Sequence, residues 1–173
     1  MKEKLKKIKL LLLDVDGVLT DGKIIYDDQG IETKFFSVKD GLGIRLLLKC
    51  GLEVGIITGR TSQVVQHRCT NLGITKVYQG VSNKVATFKQ IIEVSALSAE
   101  AVAYMGDDLP DLPLFDIVGV PVAVANACEL IKKKACIVTR ANGGRGAVRE
   151  VCEMLLKAQN LWDEVITSFY QDT

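Results

Sequence analysis

Short apolar runs alternate with helical patterns along the 173-residue chain, and this alternation limits the possible fold more than any other feature. An apolar run at 8–13 precedes a helical pattern at 42–50, and a second run at 52–57 precedes a second helical pattern at 62–72. Such alternation is typical of a mostly parallel sheet with helices on both faces. We therefore predict one doubly wound α/β domain over residues 1–173. The other predicted strands are 76–79, 101–105, 118–124 and 136–138, and the other predicted helices are 84–94, a short turn near 114, 129–133 and 147–158.

One segment interrupts the alternation directly after the first predicted strand. Residues 23–26 and 31–36 are rich in β-branched and aromatic side chains, and an Asp-Asp-Gln-Gly turn separates them. The pattern predicts a β-hairpin over about residues 22–38; the alternative is a plain surface excursion. Because exposed apolar side chains need a cover, we predict a flap that packs against another subunit. Its apolar residues are Ile24, Ile25, Phe35 and Phe36.

The C-terminal region, about residues 144–173, combines a glycine-rich loop with two amphipathic stretches. Apolar residues at helical spacing between 147 and 155 predict a helix that packs on the core. A second apolar stretch at 161–169 predicts a helix that contacts either the core or another subunit.

Composition restricts the classes of function. A net charge of +1 gives no reason to expect nucleic acid or an anionic membrane as a partner. The apolar stretch after the N-terminal lysines ends at Asp14, so we predict neither a signal peptide nor a membrane span. The five cysteines are dispersed and form no C-x-x-C pair, which is typical of reduced thiols in a cytoplasmic protein.

His67 is the only histidine, and its position in a predicted helix favours the helix surface over a catalytic role. Without a second histidine, imidazole metal sites and most catalytic triads are excluded. Carboxylate chemistry and an oxygen-ligated metal remain as candidates.

The segment after the first predicted strand carries the main chemical signal. Asp14 follows the apolar run directly, and Asp16 lies on the turn that leaves the strand, next to Gly17. Open α/β sheets bind their ligands at the carboxyl ends of strands. Asp14 is therefore a candidate nucleophile or metal ligand, and Asp16 a candidate general acid or base. Taken alone, the motif is equally typical of an ordinary Asp-Gly turn.

Polar residues suited to a phosphate follow the next strands. Thr58, Gly59 and Arg60 end the second strand and offer a hydroxyl, backbone amides and a cation. Lys84 begins a predicted helix, whose amide end also favours an anion. Taken separately, Thr58 is typical of a helix start and Lys84 of a solvated surface. Their order along the chain favours a phosphate site.

Further carboxylates reach the same edge of the predicted sheet. Asp107, Asp108 and Asp111 follow the strand at 101–105. At about 4 Å and an effective dielectric constant of about 20, each like-charge pair costs on the order of 4 kcal/mol. A bound cation removes this conflict, and a small set of oxygen ligands favours Mg²⁺ over Ca²⁺ or Zn²⁺. The residues together predict Mg²⁺-dependent phosphoryl transfer.

These segments resemble the four motifs of the haloacid dehalogenase superfamily in their order. The motif segments are 14–20, Thr58, Lys84 and 106–111. The sequence G-G-R-G-A-V-R-E at 143–150 narrows the resemblance to phosphatases that act on eight-carbon and nine-carbon 2-keto sugar acids. The resemblance covers nearly the whole chain.

The resemblance implies a two-step hydrolysis. Asp14 attacks phosphorus to form an aspartyl phosphate, while Asp16 protonates the departing oxygen and then activates water. Mg²⁺ is held by the carboxylates of Asp14 and Asp107 and by the backbone carbonyl of Asp16. The remaining implied roles are phosphoryl binding by Thr58 and Lys84, with Gly59 beside them, and orientation of the metal ligands by Asp108 and Asp111. Arg60, beside the predicted phosphate pocket, is a candidate for binding the carboxylate or the phosphate of the substrate, and the alternative is a surface position. Arg145 is a candidate for binding the sugar acid, in its own or a neighbouring subunit, and the alternative is that residues 141–146 only lead into the helix.

The resemblance also implies a substrate and an assembly. The substrate is an eight-carbon sugar acid phosphate used in lipopolysaccharide synthesis, and the assembly is a homotetramer in which the hairpins pack together. The intervals between the motifs hold only the hairpin and one helical unit each, so no cap domain is predicted. The alternatives are a nine-carbon substrate and a non-catalytic sugar-phosphate scaffold, which would be expected to lose Asp14, Asp16 or Lys84.

Overall fold

The computed structural model describes residues 1–171, and the last two residues of the predicted C-terminal segment, 172 and 173, lie outside the described residues. The strands along the chain are β1 (Leu10–Leu13), β2 (Ile25–Tyr26), β3 (Glu32–Thr33), β4 (Glu53–Ile57), β5 (Lys76–Tyr78), β6 (Val102–Gly106), β7 (Val120–Ala123) and β8 (Ile137–Val138). Six of these strands form one sheet in the order β5-β4-β1-β6-β7-β8, and every neighbouring pair is parallel. The predicted parallel α/β sheet is confirmed.

Eight α-helices flank this sheet in the described part of the chain. They are α1 (Lys2–Lys7), α2 (Val38–Lys49), α3 (Gln63–Leu72), α4 (Lys84–Val94), α5 (Leu112–Phe115), α6 (Glu129–Lys134), α7 (Ala147–Ala158) and α8 (Trp162–Gln171), with short 3₁₀ turns at Ala99–Ala101 and Leu109–Asp111. Helices α4 and α7 have the predicted bounds. The sequence did not predict α1, because five of its six residues are charged and only Leu5 is buried.

Strand β1 lies at the centre of the fold. It is four consecutive leucines, all buried, and it pairs with β4 on one side and β6 on the other. A strand covered on both faces shows a continuous apolar run instead of alternation. The chain passes to one side of β1 through β4 and β5 and then to the other side through β6, and such a switch point opens a crevice at the carboxyl ends of the strands.

The predicted hairpin is present but short. Strands β2 and β3 pair antiparallel over two residues each, and Asp27 closes the turn by accepting backbone hydrogen bonds from Gln29 and Ile31. Phe35 is 71% exposed, whereas Phe36 packs against the core, so the two aromatic residues do not share one apolar face as predicted. Neighbouring residues of an extended chain point to opposite sides, which explains the difference.

The structure contains no cap domain within residues 1–171. The hairpin is the only insertion between β1 and α2, and one helix-strand-helix unit separates β4 from β6. No helix in this part of the chain combines the length and apolar character needed to cross a bilayer.

Candidate functional site

The carboxyl end of β1 presents Asp14 at the crevice. The Asp14 backbone N–H donates to the Met105 carbonyl at 3.0 Å, which continues the pairing between β1 and β6 by one residue. The side chain of Asp14 is only 14% exposed, and its Oδ1 lies 3.2 Å from Lys84 Nζ. Within residues 1–171 that oxygen accepts no hydrogen bond, and its contact with Lys84 is an ion pair.

Asp107 and Asp111 bring two more carboxylates to Asp14. One oxygen from each of the three side chains lies within 4.8 Å of the others. Asp111 is already engaged on both oxygens, since Oδ1 accepts from Lys84 Nζ and Tyr104 Oη at 2.6 Å and Oδ2 accepts from the Asp107 backbone N–H at 2.9 Å. Asp14 and Asp107 are therefore the members of the cluster that are better placed to bind a cation.

Burial and mutual repulsion change the protonation of this cluster. Burial raises the pKa of Asp14 to about 6, although Lys84 opposes the change. Burial, followed by the charges of Asp111 and Asp14, raises the pKa of Asp107 to about 7. Burial would lower the pKa of Lys84, but Asp14 and Asp111 outweigh it and raise that pKa. A protein that must keep these carboxylates ionised needs additional positive charge here.

The cluster fits a divalent cation. Asp14 supplies a buried oxygen that accepts no hydrogen bond from the described part of the chain, and Asp107 supplies a second carboxylate close to it. Gly17 makes this approach possible, because a Cβ at that position would lie 2.0 Å from Asp107 Oδ2. Carboxylate oxygens without sulfur or imidazole favour a hard cation such as Mg²⁺.

A pocket of about 410 Å³ opens next to Asp14. Asp16, Thr58, Gly59, Arg60 and Lys84 all line it, as the sequence predicted for a common site. Thr58 is buried at the end of β4, where its backbone N–H donates to the Tyr78 carbonyl at 3.0 Å. Lys84 begins α4 and is also buried, and its helix is capped by Asn83, whose side chain accepts from the Ala86 N–H.

Asp16 is bound by residues of the hairpin that the sequence analysis did not select. Lys34 Nζ donates to Asp16 Oδ1 at 2.5 Å and lies 3.1 Å from Glu32 Oε1. Arg60 Nε lies 3.5 Å from Asp16 Oδ2, and Arg60 Nη2 donates to Glu32 Oε1 and Tyr26 Oη at 2.8 Å. Ion pairs and hydrogen bonds therefore hold the hairpin against the residues of the pocket.

Arg145 is not brought to this pocket within one chain. It lines a separate pocket of about 670 Å³ beside the hairpin, and its Nη2 lies 3.6 Å from Asp21 Oδ2. The glycine-rich loop before α7 instead packs against the segment that follows β1. The Gly144 N–H donates to the Val18 carbonyl at 2.9 Å, and a Cβ at Gly143 would lie 1.6 Å from the Gly17 carbonyl oxygen.

The remaining predicted residues have local positions. Asp108 is exposed, and its side chain accepts from the Leu109 N–H at 2.8 Å, which caps the 3₁₀ turn that carries Asp111. His67 is exposed on α3, as predicted. All five cysteines are unpaired.

Lys34, Glu32 and Tyr104 could not be selected from the sequence motifs. Tyr104 lies inside an apolar strand, where an aromatic residue is typical of a core, and its hydroxyl contacts Lys84 and Asp111 only after folding. Glu32 and Lys34 are two positions apart in the second half of the hairpin. In an extended chain this spacing places both side chains on the same side, which is the one available signal that they act together.

The fold and the acidic pocket define a class of protein that comparison with known families identifies. The sequence pattern of haloacid dehalogenase-like hydrolases matches residues 70–151. The 3-deoxy-D-manno-octulosonate 8-phosphate phosphatase KdsC of Escherichia coli K12 is 53% identical over 161 residues, which cover 93% of this chain and 86% of the relative. The chain belongs to the 3-deoxy-D-manno-octulosonate 8-phosphate phosphatase family of haloacid dehalogenase-like hydrolases.

Solved structures agree with this assignment. The phosphatase of the same name from Yersinia pestis has a TM-score of 0.92 at 46% identity and covers 94% of this chain and 88% of its own. The phosphatase from Moraxella catarrhalis, solved with magnesium, phosphate and KDO, has a TM-score of 0.95 at 44% identity and covers 97% of both chains.

Proposed function

We propose that the protein is a Mg²⁺-dependent phosphatase that hydrolyses 3-deoxy-D-manno-octulosonate 8-phosphate to the free sugar acid and phosphate in lipopolysaccharide biosynthesis. The observation that supports this most directly is the position of Asp14, which has the Lys84 ammonium group at 3.2 Å and carboxylate oxygens of Asp107 and Asp111 within 4.8 Å. The relatives named above carry this activity in their names, and one was solved with magnesium, phosphate and KDO.

Asp14 is the nucleophile in this proposal. One of its carboxylate oxygens forms a bond to phosphorus while the bond between phosphorus and the sugar oxygen breaks, and Asp16 gives its proton to the departing oxygen. In the second step the oxygen of a water molecule bonds to phosphorus, the bond to Asp14 breaks, and Asp16 takes the proton of that water. Asp14 and Asp16 line the same pocket. Asp16 can therefore reach both the departing oxygen in the first step and the water in the second.

Asp14, Asp107 and the backbone carbonyl of Asp16 would hold Mg²⁺. Bound there, the ion supplies positive charge to the carboxylates and to the phosphoryl oxygens. Asp111 positions Lys84 and the Asp107 backbone and does not bind the ion itself, because both of its oxygens already accept hydrogen bonds from Lys84, Tyr104 and the Asp107 N–H.

The transferring phosphoryl group is bound by Thr58, Gly59 and Lys84. All three line the pocket, and Lys84 lies close enough to Asp14 to offset charge on both the nucleophile and the phosphate. Arg60 lines the same pocket and is assigned to the sugar acid. Any contact of Arg145 with the substrate involves the pocket of another subunit, since Arg145 lines a different pocket in its own chain.

The experiment measures phosphate release from eight-carbon and nine-carbon 2-keto sugar acid phosphates, with Mg²⁺ and with EDTA. The intact protein, Asp14→Asn and the matched control Asp116→Asn are compared; Asp116 is exposed and pairs with Lys134 outside the pocket. We expect Mg²⁺-dependent turnover of the eight-carbon substrate, almost none with Asp14→Asn, and nearly full activity with Asp116→Asn. Equal turnover by Asp14→Asn contradicts the nucleophile, and a clear preference for the nine-carbon substrate assigns the protein to that reaction instead.

A homotetramer and a cytoplasmic location complete the proposal. Apolar side chains on and next to the hairpin remain exposed in one chain, including Phe35 at 71% and Val38 at 83%, and a neighbouring hairpin would cover them. The five unpaired cysteines support a reducing compartment. Light scattering at working concentration tests the assembly, and a monomer contradicts it.

A further inference from the structure

Lys34 is buried to a degree that is unusual for a lysine. Its side chain is only 1% exposed, although it belongs to a short hairpin that lies outside the main sheet. A buried ammonium group is costly unless its charge is paired. Lys34 meets two carboxylates, Asp16 at 2.5 Å and Glu32 at 3.1 Å.

Glu32 connects this lysine to the loop that follows β4. Its Oε1 accepts from Arg60 at 2.8 Å as well as facing Lys34, and its Oε2 accepts from the Ser62 hydroxyl at 2.5 Å. The Ser62 backbone N–H in turn donates to the Gln79 side chain at 2.8 Å. The Glu32 carboxylate is therefore fixed from two loops, and Lys34 is held between it and Asp16.

We infer that Lys34, supported by Glu32, is a positioning residue that fixes the direction of the Asp16 carboxyl for proton transfer to and from the substrate. The inference rests on the proposed function. Asp16 lies beyond the last paired residue of β1, on a turn where the strand no longer restricts its side chain. Lys34 holds one carboxyl oxygen, and Asp16 still lines the pocket where the departing oxygen lies.

The role of Lys34 can be measured because the leaving groups of different substrates depend to different degrees on protonation by Asp16. A sugar alkoxide is a poor leaving group and depends on Asp16, whereas p-nitrophenolate leaves without a proton. A displacement of about 1 Å in a catalytic group can reduce the rate by about a hundredfold. Loss of Lys34 should therefore affect the sugar phosphate selectively.

The test compares kcat/KM for the eight-carbon sugar acid phosphate with kcat/KM for p-nitrophenyl phosphate. The main variant is Lys34→Met, which keeps the apolar stem of the side chain, and Lys34→Arg is the conservative variant. The matched control is Lys23→Ala, which removes the same charge from a hairpin lysine that is 71% exposed and pairs only with Asp21 in the described structure. Thermal unfolding and Mg²⁺ binding are measured on every variant.

For Lys34→Met we expect kcat/KM to fall by about 30-fold or more on the sugar phosphate and by less than about threefold on p-nitrophenyl phosphate. A burst of p-nitrophenol should also appear, since the water step that follows still needs Asp16. Lys34→Arg should restore part of the lost activity, and Lys23→Ala should match the intact protein on both substrates.

Equal losses on the two substrates, or no loss on either, overturn the inference, and the first result would show that Lys34 only ties the hairpin to the fold. If Lys34→Met does not fold, Glu32→Gln takes its place, with the same selective loss expected at a smaller size. The proposed function is tested separately, by the intact protein alone. Hydrolysis of neither substrate by the intact protein overturns both.

Discussion

Removal of Mg²⁺ should destabilise the protein at about pH 7.5 and have little effect at about pH 4.5. The folded-state pKa values of Asp14 and Asp107 are raised to about 6 and about 7, from an ordinary value of 3.8. As pH rises from about 4 to about 7, the unfolded chain loses these protons before the metal-free folded chain does, so the free energy of unfolding decreases. Bound Mg²⁺ compensates for this loss, because it favours the ionised carboxylates.

The magnitude follows from Asp107. The difference between 3.8 and about 7 corresponds to about 4 kcal/mol, and screening of this partly exposed carboxyl by solvent reduces that to about 2 kcal/mol. For a chain of this size, a change of about 2 kcal/mol moves the midpoint of thermal unfolding by about 4–8 °C.

Scanning calorimetry with EDTA and with saturating Mg²⁺ at both pH values measures this shift. Asp107→Asn should raise the midpoint of the metal-free protein at about pH 7.5 and remove most of the Mg²⁺ effect. Asp116→Asn, which changes an exposed carboxylate outside the cluster, should leave the Mg²⁺ effect intact. An equal Mg²⁺ shift at the two pH values, or a full shift in Asp107→Asn, would refute the reasoning.

Three further predictions concern buried residues that do not line the pocket themselves. Gly143→Ala should lower both stability and phosphatase activity, because its Cβ would lie 1.6 Å from the Gly17 carbonyl oxygen; unchanged kinetics and melting would contradict this contact. Tyr104→Phe removes a buried hydroxyl that donates to Asp111 at 2.6 Å, so urea unfolding should show a loss of about 1–2 kcal/mol, and no loss would mean that this hydrogen bond is dispensable. Asp40→Asn weakens the hydrogen bonds that Asp40 accepts from the Gly146 and Arg149 N–H groups at the start of α7, and we expect a loss of about 1 kcal/mol by the same method, whereas equal stability would contradict a capping role.

The strands and the motif residues could be predicted because their signals are local. The run from Leu10 to Leu13 is apolar throughout, as a strand covered on both faces must be, and its end then places Asp14 at the crevice without information from elsewhere in the chain. The same reasoning predicted that Thr58 and Lys84 would meet Asp14, because the carboxyl ends of parallel strands share one edge.

The environment of Asp16 could not be predicted in this way. Apolar patterning drew attention to Phe35, which is 71% exposed, and away from its neighbour Lys34, which is buried. The charge that pairs with buried Lys34 is Asp16, 18 positions earlier in the chain, and this partner can be identified only once the hairpin is folded. The position of Arg145 was equally inaccessible, because the contact of its loop with Gly17 depends on the packing of α7.

The packing of Gly143 against Gly17 affects how the site can fold during synthesis. All four motif segments leave the ribosome before the loop that supports the nucleophile segment, since that loop and the helix after it belong to the last third of the chain. Chains grow from the N-terminus and begin to fold as they emerge. A nascent chain that stops before residue 143 therefore contains every catalytic side chain proposed here. It still lacks the loop backbone against which Gly17 packs.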